Sequence, residues 1–507
     1  MATASIPREG ADRGYELRVV VLLGLAFGFA YFDRMALTFL APFVQADLKL
    51  SNEELGWANS GLSLTWALGA FLVGRWSDVI GKRKPFLIGA LVLFSACSVL
   101  SGLSWNFETL LATRVVMGAA EGPFLPICLA IMAAASGPSR QALNAGIVQN
   151  VFGPIVGTSL ASYALVRIAV AYDWQAAFFV AGIPGLILAV LIWRYVKEPE
   201  RAAEAAPQPS AAPTRRGIGA ILQREVRAMG ELLRERNMLL CSLVSACAVG
   251  SIVVGSIFMP LYLDGPRGYD DLTWSNVMTV VGFCPAVGAI LVALLSERFG
   301  RKPPLIAFAF LMVIAPAALL WFEGYVVILA ALMFLSWMGL GIFPLFMGVI
   351  PTETVGRARA ATAMGLVVMM GELSGGVFAP PLAGRLADSH GLEVALYIQG
   401  ALAIGAGLAA LFVVETNPRI LGGGGSEVDQ SDPERTGYAR MALSALFAAF
   451  LFVFVNKAEL LGQDCYYFGR PSLGMTCFSQ VIYRSSWVIA IAIFAWGLFD
   501  QVNSRRR

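Results

Sequence analysis

Gly74-Arg75-Trp76-Ser77-Asp78-Val79-Ile80-Gly81-Lys82-Arg83-Lys84 joins two long apolar runs through glycines, one acid and a block of cations. A second turn of the same make, Ser296-Glu297-Arg298-Phe299-Gly300-Arg301-Lys302, places Glu297 297 − 78 = 219 residues after Asp78. The same offset relates Gly69 to Gly288, Gly81 to Gly300, Pro85 to Pro304, Arg140 to Arg359, Gly146 to Gly365 and Gly157 to Gly376. Matches at corresponding places in corresponding segments mark an internal repeat. Glycines permit a tight turn. The acid can pair with arginines or cap a neighbouring helix end, and the cations hold the turn on the inner side of a membrane. A topology signal alone needs no acid at a fixed place. Asp78, Arg83, Glu297 and Arg301 are therefore expected to act also as a conformational latch.

Outward from these turns the chain is a series of apolar runs near 20 residues long. Six lie at roughly 19–43, 55–75, 85–103, 109–135, 142–166 and 176–196, and six more at 239–263, 275–295, 304–322, 326–350, 360–382 and 392–414. Each is long enough to cross the hydrocarbon core as a helix, and runs of this length exclude strands. Of 507 residues, 57% are hydrophobic and 14% charged, where a soluble domain carries about 25% charged residues. A polytopic all-α membrane protein follows. The first run follows Arg18 without a small-residue cleavage site, so it is expected to remain as a span.

Lysine and arginine placement gives the orientation. With the N-terminus inside, the inner loops hold Lys82, Arg83, Lys84, Arg140, the arginines from Arg194 to Arg236, Arg298, Arg301, Lys302, Arg357 and Arg359. The outer loops hold only Lys49, Arg167, Arg267 and Arg385. Both ends of the bundle are expected in the cytoplasm. The expected domains are residues 1–197 and 238–418 as two six-helix bundles, with 198–237 as a cytoplasmic linker. In that linker Ile218, Ile221, Leu222, Val226, Met229, Leu232 and Leu233 fall at helical spacing, as in a helix lying on the inner membrane face.

The two turns closely resemble the G-x-x-x-D-x-x-G-[RK]-[RK]-[RK] loop of the major facilitator superfamily, over residues 15 to 418. The resemblance implies two parallel six-helix bundles, with substrate between them near the midplane. Three further stretches resemble the anion:cation symporter branch and its bacterial organic-acid carriers. They are Tyr31-Phe32-Asp33-Arg34 with Pro42, Arg114 through Gly118 and Glu121-Gly122-Pro123 to Pro126, and Gly375-Gly376 with Pro380 and Gly384. The branch implies anion binding by Arg34 and Arg114 and proton coupling by Asp33 and Glu121. It often has an amide in helix eleven, where this chain has Gly371-Glu372.

The residues support the same reading by themselves. A charge at membrane depth costs several kcal/mol unless paired, hydrated or used. Arg114 and Glu121 are seven apart, so they share a helix face about 10 Å apart, with Gly118 leaving room between them. On the first run Tyr31, Arg34 and Thr38 form one face, and Asp33 is turned about 100° from Arg34. Counting rises places Arg34 and Arg114 at one level, where two guanidinium groups can clamp a carboxylate. The repeat partners of Arg34, Arg114 and Glu121 are Val253, Met333 and Leu340, so the architecture does not need these charges. Structural ion pairing is the alternative. Glu372 is open between a second proton site, a substrate selector and a packing hydrogen bond. Tyr31, Gln149, Asn150 and Tyr262 are candidate substrate contacts; Asn59 and Asn276 also face the expected cavity, with interhelical packing the competing role for Gln149, Asn150, Tyr262, Asn59 and Asn276.

Gly422-Gly423-Gly424-Gly425-Ser426 resembles the flexible joiner of artificial fusions, so 419–437 is expected to be a linker. Residues 438–507 then form a two-helix membrane hairpin of no recognised family, read as an accessory subunit packed near the bundle. Cys465 and Cys477 share its outer loop and are a disulfide candidate, a free pair being the alternative. The other five cysteines lie in apolar runs without metal-ligand spacing, and His390 lies in a short polar loop. The expectation is a proton-coupled carrier in a bacterial inner membrane, taking up a carboxylate such as a sugar acid, aromatic acid or short acid. Its driving force is the proton gradient, with no cofactor, metal or nucleic acid. A proton-driven exporter of drugs or acids, or a non-transporting sensor or assembly partner, are the alternatives. No nucleophile–base or metal set points to an enzyme.

Overall fold

Twelve helical rods account for the architecture of the computed structural model. It describes residues 13–80, 82–137, 140–199, 229–356, 359–418 and 420–421, with the side chains of 71–79, 142–143, 150 and 361 excepted. The expected linker helix lies largely outside the described residues, as do the glycine joiner, the hairpin of 438–507, and Cys465 and Cys477.

The first half comprises α1 (Arg13–Leu48), α2 (Asn52–Ile80), α3 (Lys84–Gly102), α4 (Phe107–Ala135), α5 (141–171) and α6 (Trp174–Tyr195). The second comprises α7 (Arg236–Asp264), α8 (Asp271–Phe299), α9 (Lys302–Trp321), α10 (Val326–Val355), α11 (Thr362–His390) and α12 (Glu393–Leu411). Ten of these are long and apolar enough to span a membrane by themselves. The other two are α2, which carries more polar residues, and α5, whose apolar stretch Ile155–Ala171 is shorter.

Local sequence explains the helix ends. Asn106 caps α4 by accepting from the Thr109 N–H at 2.9 Å, and Asp173 and Asp270 cap α6 and α8 in the same way. Gly300, Gly356 and Gly391 end α8, α10 and α11 with φ of 97°, 76° and 92°, a region closed to side chains without strain. Gly300 is the glycine of the second quoted turn, so the tight turn expected there is present.

The repeat is legible in the packing. A Cβ on Gly69 of α2 would run into the carbonyl of Ala119, and one on Gly288 of α8 into that of Met338. Gly122 presses likewise on Gly69 and Ala70, and Gly341 on Gly288 and Ala289. Each partner is displaced by the same offset (338 − 119 = 219). Small residues at these crossings let α2 and α4, and α8 and α10, approach backbone to backbone. The first-half core is Leu23, Leu87, Leu91, Phe94, Phe124, Ile131 and their neighbours, drawn from α1, α3 and α4. Apolar side chains such as Ile187, Val190 and Trp193 of α6 and Ile290 and Leu294 of α8 point outward, as lipid contact requires.

The halves meet along α2 with α11 and α5 with α8. Asp388 of α11 accepts from the N–H groups of Asn52 and Glu53 at 2.8 and 2.9 Å, capping α2 from the opposite half. Gly56 lies against Pro380 and Pro381, and Gly384 against Asn52. Across α5 and α8, the hydroxyls of Ser162 and Ser275 each donate to the other's carbonyl, at 2.9 and 3.0 Å, and Arg167 donates to Asn276 at 2.9 Å. All these contacts lie on the side away from the arginine-rich loops. Trp105, Tyr172 and Tyr325, each at least 74% exposed, sit in loops on that same side, as an interfacial aromatic belt does.

Candidate functional site

Asp33 and Arg34 are adjacent on α1, and helix geometry sends their side chains apart. Asp33 turns into the first half and is 1% exposed. There the Ser98 hydroxyl of α3 donates to its Oδ1 at 2.7 Å. Arg34 is half-buried on the other side, its guanidinium 5.2 Å from the ring centroid of Trp66 on α2. Arg114 of α4 is also 1% exposed, with its guanidinium 5.3 Å from the Phe178 ring. Its Nη1 donates to the Asp33 carbonyl at 3.4 Å and lies 3.6 Å from the Met117 sulfur.

Two guanidinium groups clamping one carboxylate were expected; Arg114 packs on Phe178 and Arg34 on Trp66. Arg114 lies within the first half, and Arg34 lies nearer the second. Glu121 connects them, standing in the fields of Arg34 and Arg114. Arg34 also acts on Glu372 of α11, and Tyr31 lies in the fields of both. Asp33, Arg114, Glu121, Arg34 and Glu372 form one chain of charges that reaches from the first half to the second.

The chain of charges is incompletely satisfied. Asp33 Oδ2, Arg114 Nε and Nη2, Glu121 Oε1 and Glu372 Oε2 are buried without a hydrogen-bond partner. Structural ion pairs are ordinarily closed by hydrogen bonds, because each unsatisfied buried polar atom costs about 1–3 kcal/mol. These buried, unpartnered polar atoms set the group apart from closed ion pairs such as Arg140–Glu16.

Two of the helices that border the site depart from α geometry. α5 is π-helical over Val148–Phe152 and Ile155–Leu160, and α11 over Glu372–Phe378. Such turns recur at functional positions because they rotate side chains out of register and free backbone groups. Gln149, Asn150 and Glu372 all fall in these turns; Gln149 is half-buried. Tyr262 is not brought to the site. It lies in the last turn of α7, buried beside the 265–269 loop and in the fields of Glu393 and Arg267. Asn59 bonds within its own helix and Asn276 across the halves to Arg167, both in packing roles.

At the arginine-rich side, Arg301 Nη1 donates to Glu297 at 2.8 Å and Nη2 to Glu353 at 3.0 Å. Both partners belong to the second half. Arg140 grips Glu16 through two bonds of 2.9 and 2.6 Å within the first half. The Asp78 side chain is outside the described residues. Sequence reading overlooked Glu198 and Glu415. Glu198 accepts from the N–H groups of Arg83 and Lys84 at 2.5 and 3.0 Å, and Glu415 from those of Arg301 and Lys302 at 2.7 and 3.1 Å. Their signal was an acid just beyond the sixth and twelfth spans, each followed within three residues by proline. Ser98, Asp388 and Glu16 were also overlooked; a serine in an apolar run and an acid at a helix end carry no distinctive pattern.

The five described cysteines are free, and four of them are buried. The family model for the Major Facilitator Superfamily matches residues 23–377 and again 268–505, the second match running past the glycines into the tail. The hexuronate transporter of Bacillus subtilis is 28% identical over 418 residues, 78% of this chain and 94% of that one. The probable sulfoacetate transporter of Cupriavidus necator is 25% identical over 439 residues, 84% of this chain and 97% of that one. Among solved structures, a bacterial homologue of the human lysosomal transporter Spinster, inward-facing and occupied, matches with a TM-score of 0.63. It is 18% identical and covers 81% of this chain and 97% of its own. A D-xylose–proton symporter matches at 0.61 and 18% identity, covering 80% and 98%. At such identities the structures establish the fold alone.

Proposed function

Because the chain belongs to the Major Facilitator Superfamily, a family of transporters and not of enzymes, we propose that it is a proton-coupled importer of an organic anion. It is a multi-pass membrane protein and a secondary transporter. The anion, the proton and the inward direction are our reading. In it, Arg34 receives the substrate carboxylate, and Arg114 holds the field of the site from behind. Asp33 and Glu121 take and release protons, and Gln149 lines the path from the π-helical turns of α5.

The observation that carries this reading is the chain of charges with its open valences between two repeats, one of which does without it. Relatives named for hexuronate, sulfoacetate and galactarate or glucarate transport support a carboxylate- or sulfonate-bearing cargo. The closed contacts of α2 with α11 and α5 with α8 support an inward-facing state, if the arginine-rich loops are cytoplasmic. The bacterial inner membrane, with both bundle ends inside, is the proposed setting. Alternating access would break those contacts and close the opposite side, with Asp78, Arg83, Glu297 and Arg301 as its latch.

Reconstitution tests the reading. Purified protein in liposomes, given an inward proton gradient and hexuronate or sulfoacetate, should accumulate the anion. Glu121→Gln should lose uphill accumulation yet retain exchange of labelled for unlabelled anion. Unchanged uphill uptake in that variant removes Glu121 from the coupling, and uptake indifferent to the gradient in wild type removes the proton.

A further inference from the structure

The charges of the first half have an uncharged counterpart in the second. Ile252 of α7 and Leu340 of α10 are the repeat partners of Asp33 and Glu121 (252 − 33 = 219 and 340 − 121 = 219). Ser336 of α10 is the partner of Met117, whose sulfur lies beside Arg114. These three residues line a cavity of about 10 Å³ together with Ser251, Trp337 and Gln399. That is room for one oxygen, of a water or of a hydroxyl group. Gln399 of α12 is 3% exposed, and its Oε1 has no hydrogen-bond partner. Its amide rests on α7, where a Cβ on Gly255 would run into it. The Ser251 hydroxyl donates to the Gln399 carbonyl at 3.0 Å, so α7 also fixes the backbone there. The Ser336 hydroxyl accepts from the Ala315 N–H at 2.9 Å, which leaves its own O–H to donate.

The cavity thus presents an open acceptor and a donor, both buried, and no charge among its lining residues. An open acceptor in a buried pocket calls for an O–H. Water supplies one, and so does a hydroxylated cargo. α7 packs on α1, the helix of Arg34. Packed helices lie about 8–10 Å apart axis to axis, a span that a six-carbon acid bridges. Ile252 and Leu340, which line the cavity, are only half-buried. We propose that the cavity is a subsite for one hydroxyl group of the substrate, which donates to Gln399 Oε1 and accepts from Ser336 while Arg34 holds the carboxylate. The first half then binds the charge, and the second reads a hydroxyl. The cargo class is a hydroxylated acid, a sugar acid before sulfoacetate. This role rests on the anion reading above.

A choice of ligands separates this role from a structural one. Calorimetry on purified wild type and Gln399→Met in detergent would compare glucarate with adipate, the same six-carbon diacid without hydroxyls, and with sulfoacetate. Methionine keeps the length of the side chain and removes the acceptor, and the bond from Ser251 goes to the backbone, so it survives. Wild type should bind glucarate more tightly than adipate. Gln399→Met should lose about three- to tenfold in affinity for glucarate, the worth of one hydrogen bond, and none for adipate or sulfoacetate. Melting temperature checks that the variant is folded. No loss for glucarate, as when the cavity holds water only, or an equal loss for all three anions, overturns the subsite while leaving the carrier reading intact. A wild type that binds adipate or sulfoacetate but not glucarate does the same. One that binds none of the three overturns the carrier's cargo and this role with it.

Discussion

Replacing Arg114 by methionine isolates the interior end of the chain of charges. Methionine keeps most of the volume, so little of the cost comes from a cavity. What is lost is the cation between Asp33 and Glu121 and its stacking on Phe178. Asp33 keeps its bond from Ser98, but Asp33 Oδ2 and Glu121 Oε1 are already unpartnered and buried. Stranding a buried charge by removing its partner costs about 3–5 kcal/mol. For a unit the size of the first half, that lowers the melting temperature by about 6–20 °C. Unfolding of the purified variant in detergent, followed by intrinsic fluorescence, would read it. Adding Asp33→Asn should recover a large part of the loss, because the stranded carboxylate is gone. A variant that melts with wild type, or a double variant that melts lower still, would refute the idea that these carboxyls depend on Arg114.

Three other outcomes follow from the packing and the halves' contacts. Gly341→Ala should destabilise the second half, because the new Cβ meets the backbone of Gly288 and Ala289; a normal melting temperature would contradict the close crossing of α8 and α10. Asp388→Asn should favour the opposite state of the carrier by weakening the cap on Asn52 and Glu53, worth about 0.5–2 kcal/mol. Distances between spin labels placed across α2 and α11 should lengthen in part of the population; an unchanged distribution would mean that Asp388 does not hold that side closed. Glu353→Gln, which weakens one of the two bridges of Arg301, should loosen the second half at the arginine-rich side and speed hydrogen exchange near Arg301; no change would limit that pair to decoration.

The fold was largely legible because its cause is one-dimensional. Run length, the placement of cations and a constant offset of 219 residues state the twelve helices and their pairing, and the glycine crossings obey the same offset. The charges of the site were legible for the same reason, since Asp33, Arg114, Glu121 and Glu372 stand out in apolar runs. Their arrangement was less so. The turn of 100° between adjacent residues correctly separates Asp33 from Arg34, whereas the seating of Arg114 against Phe178 depends on how α1, α4 and α6 rotate against one another. The π-helical turns at Gln149 and Glu372 arise from packing and leave no periodic mark. Tyr262 was misplaced because a position on a span does not say which end of the span faces the site.

Protons taken up when the anion binds test the central claim without any gradient or membrane. Concentrated wild-type protein in detergent, in weakly buffered solution with a pH indicator, would receive hexuronate, glucarate or sulfoacetate at matched pH. The account expects the medium to turn alkaline in proportion to the protein, with the signal lost in Arg34→Gln, which cannot hold the anion. Binding of the anion with no change in pH, or with acid released, would contradict it.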